Sequence, residues 1–134
     1  MLRTWRGSAD GRLAEIIVLD QFSRNIYRDD PRAWAQDDLA LSLAKEMVVQ
    51  QLDGEIAIER RAYVYMPYMH SEDIEMQHES VRLFGASGLE SNLKFAILHR
   101  DVIAQFGRFP YRNELLGRVS TEAELAYVEK HGSF

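Results

Sequence analysis

Apolar residues recur at three- and four-residue intervals along most of the chain, the spacing of amphipathic helices. The first such segment runs from about Gly11 to Asn25. Leu13, Ile17, Asp20 and Arg24 fall on one face of it, and Ala14, Val18, Gln21 and Asn25 on the adjacent one. Both stripes are apolar in their first half and polar in their second. A solvated surface helix does not change character in this way, so the far end of this helix points into a buried or half-buried polar cluster. Asp20 and Arg24, four residues apart, can pair there, because an unpaired carboxylate is costly to desolvate.

The same reading predicts four further main helices. Asp30 and Pro31 restart the chain as a cap and a first helical residue, and the second helix runs to about Leu52. Its stripe, Ala33, Asp37, Ala40, Ala44 and Met47, is rich in alanine and implies close approach of a neighbour. Asp53-Gly54 ends it. A third helix covers about Glu55 to Tyr65 and stops before Met66-Pro67. A fourth, from about Met69–Ser71 to Phe84, carries His70, Ile74, Gln77, Val81 and Phe84, with Gly85 to Gly88 as a loop. The fifth, Leu89 to Phe106, places His99 on an otherwise apolar face, and Gly107 supplies a left-handed C-terminal residue. A short helical turn reaches Leu116, and Thr121 with Glu124 forms a capping box that opens a last helix to about Lys130. Ile16 to Leu19 and Ala62 to Tyr65 suit short strands by residue type, but the longer helical period overrides that at the first. The fold class is all-α in a single domain of antiparallel helix pairs, with about five main helices plus short ones.

Composition narrows the setting. The 134 residues make one ordinary domain, 46% hydrophobic and 28% charged, which is a soluble balance. No apolar run approaches the ~20 residues that cross a bilayer, so no membrane role is expected. The start of the chain lacks a signal-peptide core, and there is no cysteine, which fits a cytoplasmic protein. A net charge of -5 disfavours nucleic acid as a partner. A local basic pocket is still compatible with that charge.

The chemistry gathers at two echoing segments. Gln21-Phe22-Ser23-Arg24-Asn25 and Phe106-Gly107-Arg108-Phe109-Pro110-Tyr111-Arg112-Asn113 each follow a long helical stripe and end in Arg-Asn. They read as two helix ends that bring Arg-Asn pairs to one polar site. The ligand-binding candidates are Asp20, Gln21, Arg24, Asn25, Arg108, Arg112 and Asn113, and the catalytic candidates are His70, His99 and Glu72, with Asp73 beside them. Three arginines offer forked donors for a carboxylate or phosphate. Histidine titrates near neutrality and can act as acid, base or ligand. The pattern points to a small anionic ligand and implies no cofactor. A structural alternative stands beside it: Asp20–Arg24 as a buried ion pair, Arg108 and Arg112 as caps on helix carbonyls, His99 as a core histidine. Metal binding by His70, Glu72 and His99 is a weaker alternative, since no metal-ligand spacing is present. His78 and His131 read as surface residues, and Ser71 has no triad partners.

Three stretches, in order, resemble the signatures of a known family: Leu13 through Arg28, Tyr65 through Asp73, and His99 with Phe106 to Asn113, Leu116-Gly117-Arg118 and Ser120-Thr121. The family is the bacterial domain-of-unknown-function family 924. The resemblance implies an all-helical, tetratricopeptide-like stack and no particular activity. It also makes a peptide-binding interaction module the alternative to a small-molecule site. Two departures stand out. Family members usually begin with a further helical segment bearing a Trp-Phe pair, which this chain lacks through a shortened gene or a late-assigned start. The apolar face so left is expected to be covered by a second copy in a homo-oligomer. The third signature commonly reads Phe-Pro-His-Arg-Asn, and Tyr111 stands at the His position. Tyrosine, with an ordinary pKa near ~10, is a poor base at neutral pH.

Overall fold

The computed structural model describes residues 2–133. It is all-α, and no strand occurs among those residues. Helix α1 (Ala9–Ile17), a π turn (Val18–Phe22) and α2 (Ser23–Ile26) form one continuous helical run. Ser8 opens it by accepting from the Gly11 N–H at 3.0 Å. The unbroken α-helix expected here is therefore interrupted in its middle by a wider turn. That turn moves the buried line to Leu13, Ile16, Leu19, Asp20 and Ser23, and it leaves Asn25 exposed to solvent. A 3-10 turn, Leu2–Gly7, precedes α1. Two bonds of 2.8 Å from the Arg6 guanidinium to the buried Glu15 carboxylate tie it down. Only glycine fits at position 11, because a Cβ there would stand 1.9 Å from the Trp5 carbonyl oxygen.

A second 3-10 turn, Pro31–Trp34, starts at the Asp30 cap, and α3 (Asp37–Val49) begins only after it. Left-handed Gln51 (φ 60°) and a 3-10 turn at Leu52–Glu55 absorb the residues predicted as the end of that helix. Helix α4 (Ile58–Met69) runs through Pro67 rather than stopping before it. Proline this close to a C-terminus removes one backbone bond, and burial of Pro67, Tyr68 and Met69 holds the last turn in place. Asp73 caps α5 (Ile74–Ala86), which takes in Gly85 and Ala86 as well. Helix α6 (Glu90–Phe106) ends at left-handed Gly107 (φ 74°). A short 3-10 turn (Pro110–Arg112), α7 (Asn113–Leu116) and α8 (Glu122–His131) complete the chain, and the Thr121–Glu124 capping box is present.

Each of α3 to α6 packs on the next, and α1 lies against both α3 and α4. The loops at 70–73 and 87–89 are too short for anything but antiparallel neighbours. The main core joins Leu13 and Ile16 of α1, Ala40, Ala44 and Met47 of α3, Val64 and Tyr65 of α4 and Phe84 of α5. Fully buried Ala40 and Ala44 are the close-approach positions of the alanine stripe. A smaller cluster of Val102, Ile103 and Phe109, flanked by Phe106 and Tyr127, carries the C-terminal elements. The polar site lies where the π turn, the end of α4, α6 and the 109–112 segment meet.

Candidate functional site

Asp20 and Gln21 sit in the π turn, and His70 is the C-cap of α4. His70 Nδ1 lies 2.8 Å from Asp20 Oδ1. An ionised carboxylate only accepts, so Nδ1 carries the proton, and in the neutral ring Nε2 keeps its lone pair. Asp20 is buried to 1% exposure and also accepts from Arg24 Nη1 at 3.1 Å and from Gln21 Nε2. Burial pushes its carboxyl up, but His70, Arg24 and Gln21 together outweigh that and hold it below its ordinary value. The carboxylate therefore stays ionised at neutral pH and fixes the imidazole. Arg24 in turn donates to both oxygens of Asp37, at 2.7 and 2.9 Å. Its positive charge is thus answered twice inside the protein.

A cavity of about 380 Å³ opens beside this cluster, with Gln21, Arg24, His70, Asn92, His99 and Tyr111 among its walls. His99 is a core histidine, 4% exposed, whose Nδ1–H donates to the Phe95 carbonyl at 2.7 Å. Burial pushes its pKa down to about 4, with the bond to Phe95 opposing and His70, Arg112 and Arg24 reinforcing the fall. It is neutral at physiological pH. The His70 and His99 rings are 6.4 Å apart, centre to centre.

Arg112 reaches the same place from another direction. It is 5% exposed and donates from Nη2 to the His70 carbonyl at 3.1 Å, closing an open carbonyl at the end of α4. Its guanidinium carbon lies 4.7 Å from the centre of the Phe109 ring, 5.1 Å from that of Trp34 and 5.9 Å from that of Tyr111. Asp20 thus holds the His70 ring and Arg112 its main chain.

The other predicted residues are gathered elsewhere. Glu72 accepts from the Phe109 N–H at 2.7 Å and pairs with Arg118 through bonds of 2.8 and 3.0 Å. Burial raises its carboxyl, and Arg118, the Phe109 N–H and Arg112 more than reverse that. Arg108 takes both oxygens of Glu124 at 2.8 Å, and Asn113 donates to Ser120 and accepts from Arg118. These bonds lash α7 and α8 to the body. Arg108 is the main reason that Glu124 is held down to about 2, with the Thr121 N–H and Asn113 adding to it. Asp73 is a helix cap. Asn25 is exposed and lines a neighbouring surface cavity with Arg24 and Arg28.

The sequence reading passed over Asp37, Arg118 and Glu124 as members of these networks. Asp37 had a signal, as the one charged position in the alanine stripe. Arg118 and Glu124 had none beyond polarity and the capping box. Among the described residues no group of three or more His, Asp or Glu side chains is placed to hold a metal ion. No helix among them is long and apolar enough to cross a membrane.

Comparison with known proteins follows the same lines. A protein of unknown function from Agrobacterium tumefaciens, ATU0120, has a similar structure, with a TM-score of 0.92 and 36% sequence identity over 96% of this chain and 73% of that one. No curated protein matches the chain. The family described as "Bacterial protein of unknown function (DUF924)" matches residues 1–132, and the chain belongs to it.

Proposed function

We propose that the protein binds a small anionic ligand in the cavity shared by His70 and His99, and that His70 exchanges a proton with it. The observation that carries this reading is the Asp20–His70 pair, a buried ionised carboxylate bonded to the imidazole of a residue on the cavity wall. Such a carboxylate fixes the tautomer and the ring orientation, the arrangement that suits a general base. The local charges explain why the ligand is an anion. Asp20 and Asp37 balance Arg24 and Arg112, so a proton taken up by His70 leaves one positive charge unanswered. Gln21 and Asn92 add amide groups to the same wall, and neutral His99 adds a weakly polar one. Arg108, Asn113 and Glu72 are left out of the ligand site, because their partners are within the protein.

A thermal-shift screen of small carboxylates, phosphates and divalent metals tests this, with His70→Gln in parallel. A ligand at a hundred times its dissociation constant adds about 2.7 kcal/mol, which is easily read as a rise in Tm. An anion that raises the Tm of the parent and not of His70→Gln supports the reading. Equal shifts in the two proteins, or none in the parent, overturn it. The Glu72–Arg118 and Arg108–Glu124 pairs favour a second reading, in which the motifs only brace a tetratricopeptide-like interaction module. A blank screen with a folded His70→Gln protein directs the search to protein partners.

A further inference from the structure

Six of the nine side chains around the cavity of about 380 Å³ are thioethers or rings: Met66, Met69, His70, Phe95, His99 and Tyr111. Resting on the reading of His70 given above, we infer that the ligand is an aromatic ring bearing a single acid group. The ring sits between Met66 and Met69 at the end of α4 and Phe95 on α6, with the acid group toward His70 and Asn92.

Two observations carry it. The first is the position of Phe95. Met66 and Met69 stand three residues apart near the end of α4, and Asn92, Phe95 and His99 share one face of α6, which packs on α4. Phe84, Phe106 and Phe109 each have a ring partner inside the protein. Phe95 has none among the described residues and is 55% exposed. A lone exposed apolar side chain is ordinary on a protein surface. Phe95 differs because it borders a cavity whose wall also carries two thioethers. Aromatic edges and thioether sulfur both attract a π system, and unbranched methionine adapts its shape to the ring it meets. A saturated chain would gain burial there and little else.

The second is the balance of charge and hydrogen bonds on the same wall. Among the lining residues Arg24 carries the permanent positive charge, and Asp20 and Asp37 answer it. A polyanion therefore finds no free cation, whereas a single acid group is met by His70 once that ring takes up a proton. Both Nε2 protons of Gln21 are spent, on Asp20 and on the Met66 sulfur, so its amide keeps only an oxygen to offer. Asn92, half-buried, has no side-chain hydrogen bond among the described residues and is left to donate to the acid group. A cavity of ~150 Å³ takes benzene, so this one has room for the ring, its acid group and a further substituent.

The test is an NMR titration of protein labelled with 13C at its methionine methyls, using benzoate, cyclohexanecarboxylate, acetate and benzamide. Benzoate should shift the Met66 and Met69 methyls through its ring current and leave Met47 and Met76, packed in the main core, unmoved. It should bind at least about tenfold more tightly than acetate, through the ring area buried, and about threefold more tightly than cyclohexanecarboxylate. Phe95→Ala should weaken benzoate about fivefold and leave acetate unchanged. That side chain is exposed, and the substitution keeps the backbone carbonyl that accepts from His99, so the Met47 and Met76 signals should report an unaltered fold. Benzoate that leaves both methyls unmoved, binds no better than acetate or cyclohexanecarboxylate, or ignores Phe95→Ala overturns the inference. If benzoate shifts the methyls but benzamide binds equally well and His70→Gln changes neither, the ring seat stands, and the acid group falls together with the proton-exchange reading. If a screened anion raises the Tm through His70 while benzoate leaves Met66 and Met69 unmoved, that reading stands and the aromatic ligand falls.

Discussion

Between pH 8 and pH 5 the protein should lose about 2 kcal/mol of stability through His99 alone. The ring is buried, and its folded pKa is lowered from 6.5 to about 4. In the unfolded chain the ring titrates near the ordinary value of ~6.5. Within that window the unfolded state binds the proton and the folded state does not, so stability rises with pH. The stabilisation is fully present above the unfolded value and is lost as pH falls toward the folded one. At pH 5 the unfolded ring is almost wholly protonated and the folded ring only about a tenth so; the ratio of the two states' proton-binding polynomials is then roughly thirty, or ~2 kcal/mol. Below pH ~4 both states are charged, and the loss levels off near ~3 kcal/mol. Urea denaturation of the parent and of His99→Gln at the two pH values isolates the effect. Acidic groups such as Asp20, Glu72 and Glu124 contribute alike to both proteins and cancel in the difference. His99→Gln should be less stable than the parent at pH 8 through lost packing on Phe109, yet lose about 2 kcal/mol less on acidification. Equal losses in the two proteins would refute the claim that His99 is buried in its neutral form.

Two further outcomes follow from the networks. Glu124→Ala removes the acceptor of Arg108, of the Thr121 N–H and of Asn113 together, so it should cost about 1–3 kcal/mol and strip residues 122–131 of hydrogen-exchange protection while α1 to α6 keep theirs. Asp20→Asn keeps the shape and removes the charge. It should leave the secondary structure intact, redistribute the His70 tautomers seen by 15N NMR, and weaken any anion found in the screen; an unchanged tautomer ratio would show that Asp20 does not orient the ring.

Much of the architecture was legible without coordinates. Helix α6 was placed within one residue, with Gly107 as its left-handed end, because a long stripe followed by glycine leaves few other readings. The capping box at Thr121 and Glu124 is a purely local signal, and it is where the spacing put it. The Asp30 cap and Pro31 stand where expected, though they open a 3-10 turn, whereas the boundary at Met66-Pro67 was misplaced. Proline rules describe what an isolated chain prefers, whereas buried Pro67, Tyr68 and Met69 gain more from packing than one lost backbone bond costs. The π turn was invisible, since nothing in the residue pattern of Val18 to Phe22 distinguishes an inserted residue from a regular turn.

The sequence by itself determined that this is an all-helical protein with a polar cluster at the end of its first long helical run. It determined also that Asp20, Arg24 and His99 lie on or beside apolar stripes, because the helical period alone decides which face a residue occupies; His70, expected at the start of the fourth helix, is instead the C-cap of the helix before it. Partnership was decided by tertiary structure. Arg24 takes Asp37 of α3 as well as Asp20, Glu72 takes Arg118, and Glu124 of the last helix takes Arg108. Each of these choices, beyond the pair within one helix, depends on which elements lie side by side after the chain has closed. A carboxylate and an arginine far apart in sequence carry no mark of each other, and only packing brings them within hydrogen-bond reach. The same packing leaves the Arg112 Nε buried without a hydrogen-bond partner.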